Sequence, residues 1–168
     1  MFYDSNNHTL NLYNEEADAT LQLGQEEFLR VRNNTGSTIT KGQVVKINGS
    51  QGQAPTVCLA IADSNANAQI IGLATHDIED NSFGYVTTYG LVRGVVTSGI
   101  TEGAEIFLDA STSGAFTETA PTIPNYKVTV GHVIISNPNN GMVLVQVGNT
   151  KLGGGDLKSE AAVTVSGS

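Results

Sequence analysis

The sequence predicts an all-β protein: a compact barrel or sandwich built from two similar β-units, with an extended N-terminal arm and a C-terminal tail. Three observations lead to this prediction. Short apolar runs with period-2 alternation recur at close spacing, and clusters of Gly, Asn and Ser separate them. The middle of the chain also contains an internal repeat, in which similar segments occur twice in the same order. Short, regularly spaced strands between turn residues are typical of all-β barrels and sandwiches.

The doubling is visible in three pairs of segments that keep the same order. Residues 39–42 (ITKG) return as 100–103 (ITEG), residues 71–74 (IGLA) as 130–133 (VGHV), and residues 81–90 (NSFGYVTTYG) as 139–148 (NNGMVLVQVG). The offset between the copies shrinks from 61 to 58 residues along the chain. We therefore predict two related units, about 39–90 and 100–148, that differ slightly in loop length.

Composition divides the chain into an arm at 1–27, a β-domain at 28–150 and a tail at 151–168. The arm alternates only weakly, which predicts two short strands or an extended segment. Its charge is one-sided, because residues 1–29 hold six acids and no Lys or Arg. The tail begins with a Gly-rich stretch at 151–155, a composition that predicts a flexible linker.

Within the β-domain, period-2 alternation and turn residues predict nine strands, at about 28–32, 43–48, 56–62, 68–74, 84–89, 91–97, 104–109, 126–135 and 142–148. Residues 60–68 lack an apolar stripe at helical spacing, which favours a loop or a single turn. The last two strands form the clearest hairpin, with Asn140-Gly141 as a favoured turn pair. We expect Val143, Val145 and Val147 to face the core and Gln146 to face away from it.

Bulk composition excludes several classes of protein. Charged residues make up only 14% of the 168 residues, and the formal net charge is −8. Nucleic-acid binding needs clustered Lys and Arg, so no nucleic-acid partner is expected. No apolar run approaches the roughly 18 residues of a membrane helix, and the first residues lack the pattern of a signal peptide. We expect a soluble, unprocessed protein with no membrane partner.

Few residues of the sequence are candidates for catalysis or metal binding. The densest group of ligand-type side chains is residues 76–80 (HDIED), where a metal or acid–base site would use His76 with Asp77 or Asp80. A polar loop between two strands is the favoured interpretation. The single cysteine, Cys58, lies in an apolar run and is expected to be a buried thiol. No nucleophile elbow, phosphate loop or dinucleotide motif is present. The sequence therefore predicts no enzyme, no catalytic residue, no cofactor and no metal.

The stretch from Phe2 to Val147 resembles a domain of tailed-bacteriophage virion proteins, found in capsid decoration (cement) proteins and in tail-fibre-like proteins. The most specific segments of this resemblance are TGSTITKGQVV at 35–45 and ATHDIEDNSFGYVTTYGLV at 74–92. The resemblance implies a virion structural role and, by likeness to smaller decoration proteins, trimers of β-barrels on the shell. The part from Gly148 onward departs from the shared pattern.

The resemblance leaves capsid and tail both open, and the short chain, without a coiled coil or a fibre-shaft repeat, favours a decoration protein on the virion capsid surface, made in the host cytoplasm. It would stabilise the assembled shell through trimer formation and arm exchange, with the major capsid protein and its own copies, as a homotrimer, for partners. The residues expected to make these contacts lie in the arm and the tail: Phe2, Tyr3, Leu10, Leu12, Tyr13, Leu152, Val163 and Val165. The alternative is a tail-fibre or receptor-binding module, which would expose aromatic residues such as Phe83, Tyr85 and Tyr89 at a loop tip.

Overall fold

The computed structural model describes residues 1–16 and 18–153, and every regular element in them is a β-strand. The predicted all-β fold is thus confirmed. The strands are β1 (Phe2–Asp4), β2 (Thr9–Asn14), β3 (Ala19–Gln22), β4 (Glu27–Asn33), β5 (Val44–Gln51), β6 (Ala54–Leu59), β7 (Ile70–Ala74), β8 (Phe83–Val95), β9 (Glu105–Leu108), β10 (Phe116–Thr117), β11 (Tyr126–Lys127), β12 (Thr129–Ile135), β13 (Gly141–Gln146) and β14 (Lys151–Leu152). Across these residues no helix is long and apolar enough to cross a membrane.

Five strands close into a barrel in the first half of the β-domain. β4 pairs with β8, β8 with β7, β7 with β5, β5 with β6, and β6 returns to β4. The closing β4–β6 ladder is parallel and spans only Arg32↔Thr56 and Asn33↔Val57. A core of β-branched side chains and one alanine fills the barrel: Val31, Ile39, Val45, Val57, Ala74, Ile78 and Val86. The barrel is therefore continuous, but its last seam is two residue pairs long.

The second half repeats the same strand order without closing. β8 is long enough to belong to both halves, since its C-terminal part pairs with β13, followed by β12, β9 and β10. Within the described residues β10 pairs only with β9, so the sheet has a free edge there. Its core, around Ile106, Val130 and Val143, also contains Val44 and Leu73 from the barrel strands β5 and β7. The second unit thus covers its apolar face by packing on the first.

The two units match ladder by ladder. Val44↔Leu73 in the barrel corresponds to Glu105↔His132, and Leu73↔Thr87 corresponds to His132↔Leu144. These pairs place β5 and β9 61 residues apart, β7 and β12 59 apart, and the partner strands β8 and β13 57 apart. Gly72 and Gly131 occupy equivalent positions, where a Cβ would collide with the carbonyl oxygens of Thr87 and Leu144, respectively.

Some local predictions need correction. The predicted strands at 84–89 and 91–97 are the single strand β8, and the short strands β10 and β14 were not predicted. The turn of the last hairpin does not use Asn140-Gly141, because Gly141 already begins β13. Instead, the Asn137 carboxamide oxygen accepts the backbone N–H groups of Asn139 and Asn140, 2.9 Å from each. Cys58 is half-buried rather than fully buried.

The core predictions for β13 fare better. Val143 and Val145 are fully buried, Val147 is partly buried against the same core, and Gln146 is exposed. The alternation predicted for this strand is confirmed. Residues 62–68 form turns, and three alanines in or next to this segment, Ala60, Ala62 and Ala68, are fully buried in the second core.

Candidate interaction surface

The N-terminal residues form a small sheet of their own. β1, β2 and β3 pair antiparallel in that order and share no ladder with the nine-stranded sheet of the body. The sequence predicts two short strands or an extended segment here, and β1 is the additional strand. We call β1–β3 the arm sheet.

The arm sheet carries its apolar side chains outward. Thr9, Asn11 and Gln22 are buried polar residues, whereas Leu10 and Leu12, which alternate with the first two, are 42% and 41% exposed. A sheet that packs its apolar face on its own core shows the opposite pattern. The outward apolar face is therefore a candidate contact surface for another molecule.

The register assigns the predicted arm contacts to two faces. Tyr3↔Leu10 and Leu12↔Leu21 are cross-strand pairs, and Leu23 donates its backbone N–H to the Leu10 carbonyl oxygen. Side chains directly opposite each other in a ladder lie on one face. Phe2, opposite Asn11, and Tyr13, two residues beyond it, lie on the other face and are also exposed. We call the face with Tyr3, Leu10, Leu12, Leu21 and Leu23 the leucine face.

Two ion pairs fasten the arm to the body. The Arg30 guanidinium donates to both carboxylate oxygens of Glu16, at 2.9 and 3.3 Å, and Arg93 donates to Glu26 at 3.0 Å. Arg30 lies opposite Tyr85, and Arg93 opposite Met142, a residue 57 positions later. The arm therefore forms an ion pair with the equivalent arginine of each β-unit. The paired residues are 14 and 67 positions apart in the chain, so no local sequence signal could pair them.

The two ion pairs differ in burial. The Glu16 and Arg30 side chains are both about half exposed, at 45% and 46%, whereas the Glu26 side chain is only 1% exposed. The other Glu26 oxygen accepts the Gln22 backbone N–H at 3.0 Å, and the Gln22 carboxamide oxygen accepts from Arg93 at 3.2 Å. This network fixes the direction in which the arm leaves the body. The hydrogen bond from Arg30 lowers the pKa of Glu16.

The space under the arm is a crevice of about 240 Å³ between β3 and the body, bordered by Asp18, Phe28 and His76. The His76 Nε2 atom accepts the backbone N–H of Tyr85 at 3.0 Å. Burial lowers the pKa of His76, and the neighbouring Asp77 only partly opposes that shift. The imidazole is therefore held neutral beside the arm.

The carboxylates of the acidic loop at 76–80 accept hydrogen bonds from the backbone of neighbouring turns. Asp77 accepts the Lys41 backbone N–H at 2.7 Å, and Asp80 accepts the Gly36 backbone N–H at 2.8 Å. Both carboxylates satisfy turns of the barrel, as the polar-loop interpretation expects. Within residues 1–16 and 18–153, no group of three His, Cys, Asp or Glu side chains is placed to hold a metal ion.

The predicted tail contacts are only partly described by the structure. Leu152 lies in β14, is 43% exposed and sits opposite Tyr126 of β11. Val163 and Val165 lie outside the described residues. Phe83, Tyr85 and Tyr89, the residues of the receptor-binding alternative, lie within β8 and do not form a loop-tip cluster.

The structure contains a second candidate interaction surface, which the sequence did not predict. Beside the short β4–β6 seam lies a concavity of about 440 Å³, bordered by Leu29, Gln53 and Phe83. The Arg30 and Arg32 guanidinium carbons lie 4.0 and 5.1 Å from the centre of the Phe83 ring. Arg30 and Arg32 alternate along β4 and so share one face, but only the register with β8 brings Phe83 beneath them.

Comparison with known proteins gives a family match. Residues 22–148 match the model of a family described as phage cement protein. The match spans β4 through β13 and begins at the last residue of β3, so most of the arm sheet lies before it. No curated protein matches the chain.

Proposed function

The chain belongs to the phage cement protein family, and we propose that it is a decoration protein that binds the assembled capsid and stabilises it. Family membership gives it a structural role in the phage virion. The finer proposal is that the major capsid protein is its partner, that it acts as a homotrimer, and that its arms are exchanged between copies on the outer surface of the shell. A protein that binds only the assembled shell favours that state through binding linkage.

The observation that carries this proposal is the outward leucine face of the arm sheet. Exposed apolar residues in a contiguous set are favourable to bury, at roughly 25 cal/mol per Å². The body does not use this face, because Leu10 and Leu12 remain exposed while their polar neighbours are buried. A surface of this kind is suited to a partner that supplies the missing apolar side.

Arm exchange has a specific structural basis. The arm is joined to the body by the Glu16–Arg30 and Glu26–Arg93 contacts, and Gly24 lies between them with a φ of 84°. Glu26 follows Gly24 and directly precedes β4, so it would keep its pair with Arg93, whereas an arm exchanged by reorientation at Gly24 would form the Glu16–Arg30 ion pair with a neighbouring copy. Exchange of an identical element costs little because it replaces each contact by its equivalent.

The test is occupancy on purified shells. We expect L10S/L12S to bind with an affinity lower by about tenfold or more, since two central apolar contacts are lost. The matched control is I47S/I134S, which removes apolar side chains of similar exposure, 47% and 41%, from the body. Deletion of residues 1–20 should abolish binding. Unchanged occupancy of the deletion variant would remove the arm from the mechanism.

A further inference from the structure

The barrel seam between β4 and β6 leaves part of β4 without a second neighbour. β6 pairs with β4 only at Arg32 and Asn33. Among the described residues, the β4 positions 28–31 have a strand partner only on the β8 side. Pro55 lies on the opposite border of the gap and lacks a backbone N–H, so β6 has no donor there to extend the ladder. The exposed β4 edge is a template for another strand.

A cationic group is held ready beside this edge. Arg32 donates through Nε to the Asn34 side chain at 3.1 Å, and Asn34 donates to the Gln51 side chain at 2.8 Å. These bonds and the Phe83 ring orient the guanidinium. Arg30 and Arg93 have carboxylate partners, but no carboxylate among the described residues lies within ion-pair distance of Arg32. A planar, oriented guanidinium is well suited to bind a carboxylate.

We propose that this gap, which we call the seam groove, binds the C-terminal tail of a neighbouring copy as an added strand. The proposal rests on the self-association proposed above. The tail sequence at 160–165 (EAAVTV) combines one acid, Glu160, with small and β-branched residues. Glu160 would pair with Arg32, the small residues would pass Pro55, and a valine would cover the half-exposed Leu29. Strand addition of this kind gains affinity from backbone hydrogen bonds and specificity from alternate side chains.

The length of chain available suits this role. The described chain reaches Gly153, whose backbone N–H donates to the Asn125 carbonyl oxygen, and 15 residues follow. Six of them, residues 154–159, lie between Gly153 and Glu160, and fully extended this stretch spans at most about 25 Å, so the tail is expected to reach only a directly adjacent copy. The chain is acidic overall, with a net charge of −8, so an oriented arginine without a carboxylate partner is an unusual feature of its surface.

The first experiment is a charge exchange in the full-length protein, read out by sedimentation equilibrium. We expect R32E and E160K each to weaken self-association by about tenfold or more, and R32E/E160K to recover most of the loss. E79K changes an exposed acid by the same charge and should have no effect. Thermal unfolding of R32E should stay close to that of the unaltered chain. Association unchanged in both single variants, or no recovery in the double variant, would overturn the proposal.

The second experiment determines whether the tail acts between copies. Two Cys58→Ser chains are mixed, one carrying Gln53→Cys and the other Val163→Cys, and oxidised. A covalent heterodimer is expected, and Glu79→Cys in place of Gln53→Cys should give none. If no heterodimer forms with Gln53→Cys, the inference fails. Shell occupancy of R32E is measured in parallel: full occupancy with lost self-association would contradict the trimer but leave capsid binding intact.

Discussion

The two β-units have the same strand order and register, yet one is a closed barrel and the other an open sheet. The difference lies in a single seam: β6 pairs with β4 in the first unit, whereas β10, the two-residue equivalent of β6, has β9 as its only strand partner among residues 1–16 and 18–153. The open unit buries its apolar face on Val44 and Leu73 of the closed one. A duplicated β-unit can therefore remain an open sheet when the other unit supplies the side chains that cover its apolar face.

The same comparison explains how the arm is mounted. Arg30 and Arg93 stand at equivalent positions of the two units, and each binds an acid of the arm. The contact to the closed unit is exposed, whereas the contact to the open unit buries Glu26 beside Gln22. The arm therefore bridges the two units, and its buried attachment lies on the open one.

The largest expected effect comes from adding a methyl group at the equivalent glycines. A Cβ at Gly72 would collide with the Thr87 carbonyl oxygen, and one at Gly131 with that of Leu144. In the closed barrel β7 is tied to β8 both directly and through β5, β6 and β4, so it cannot move away. We expect Gly72→Ala to lower the free energy of unfolding by about 3 kcal/mol and Gly131→Ala by about 2 kcal/mol, measured by urea denaturation.

The control for this pair is Gly52→Ala, at a hairpin tip with a φ of 62° and no atom within 4 Å of the added methyl. Its cost should be about 1 kcal/mol, from backbone strain alone. If Gly72→Ala and Gly131→Ala lower the free energy of unfolding equally, barrel closure does not determine how easily the paired strands move apart to accommodate the methyl group.

A smaller effect separates the two arm attachments. Arg93→Met leaves the Glu26 carboxylate buried without its cation, and we expect a loss of about 1–3 kcal/mol in the free energy of unfolding, since Arg93 itself is partly exposed. Arg30→Met breaks an exposed ion pair and should cost less than about 1 kcal/mol. Denaturation of both variants at low and high salt tests this. Restoration of stability in E26Q/R93M is expected, and a larger loss for Arg30→Met than for Arg93→Met would reverse the assignment.

These contrasts also mark what the sequence could predict. Period-2 alternation and the repeated segments are local signals, and they were sufficient for the all-β fold and for the core face of β13. The sequence also identified Leu10 and Leu12 as a candidate contact pair, which the structure places on one exposed face. Their role in binding stays a prediction.

Closure and pairing depend on contacts between distant residues, which carry no local signal. Whether β6 meets β4, and whether Arg32 lies over Phe83, is decided by register across more than 20 residues of chain. The Asn140-Gly141 turn was predicted from a favoured pair, but Asn137 supplies the acceptor that shapes the loop. In this loop one local interaction therefore replaced another, because the Asn137 acceptor lies only two and three residues before its donors.

The smallest predicted effect is a pH dependence located in the closed unit beside the arm. The His76 Nε2 atom accepts the Tyr85 N–H, and burial lowers its pKa, so the folded state favours the neutral imidazole. The unfolded chain, with an ordinary histidine pKa of about 6.5, binds the proton more readily. The contribution of His76 to the free energy of unfolding should therefore be fully present above about pH 6.5. It should decline as the pH falls toward the lowered pKa of His76 in the folded state.

Urea denaturation at about pH 7.5 and pH 5.5 measures this decline, and His76→Gln should reduce it, because its amide does not titrate. The nearby Glu16 contributes at lower pH, since its pKa is lowered below the ordinary value of 4.5 and its share of stability is lost only as it is protonated. The E16Q variant is the matched control: it should keep the decline between these two pH values. If His76→Gln retains the full slope, the imidazole is not its source, and the proton is taken up elsewhere in the chain.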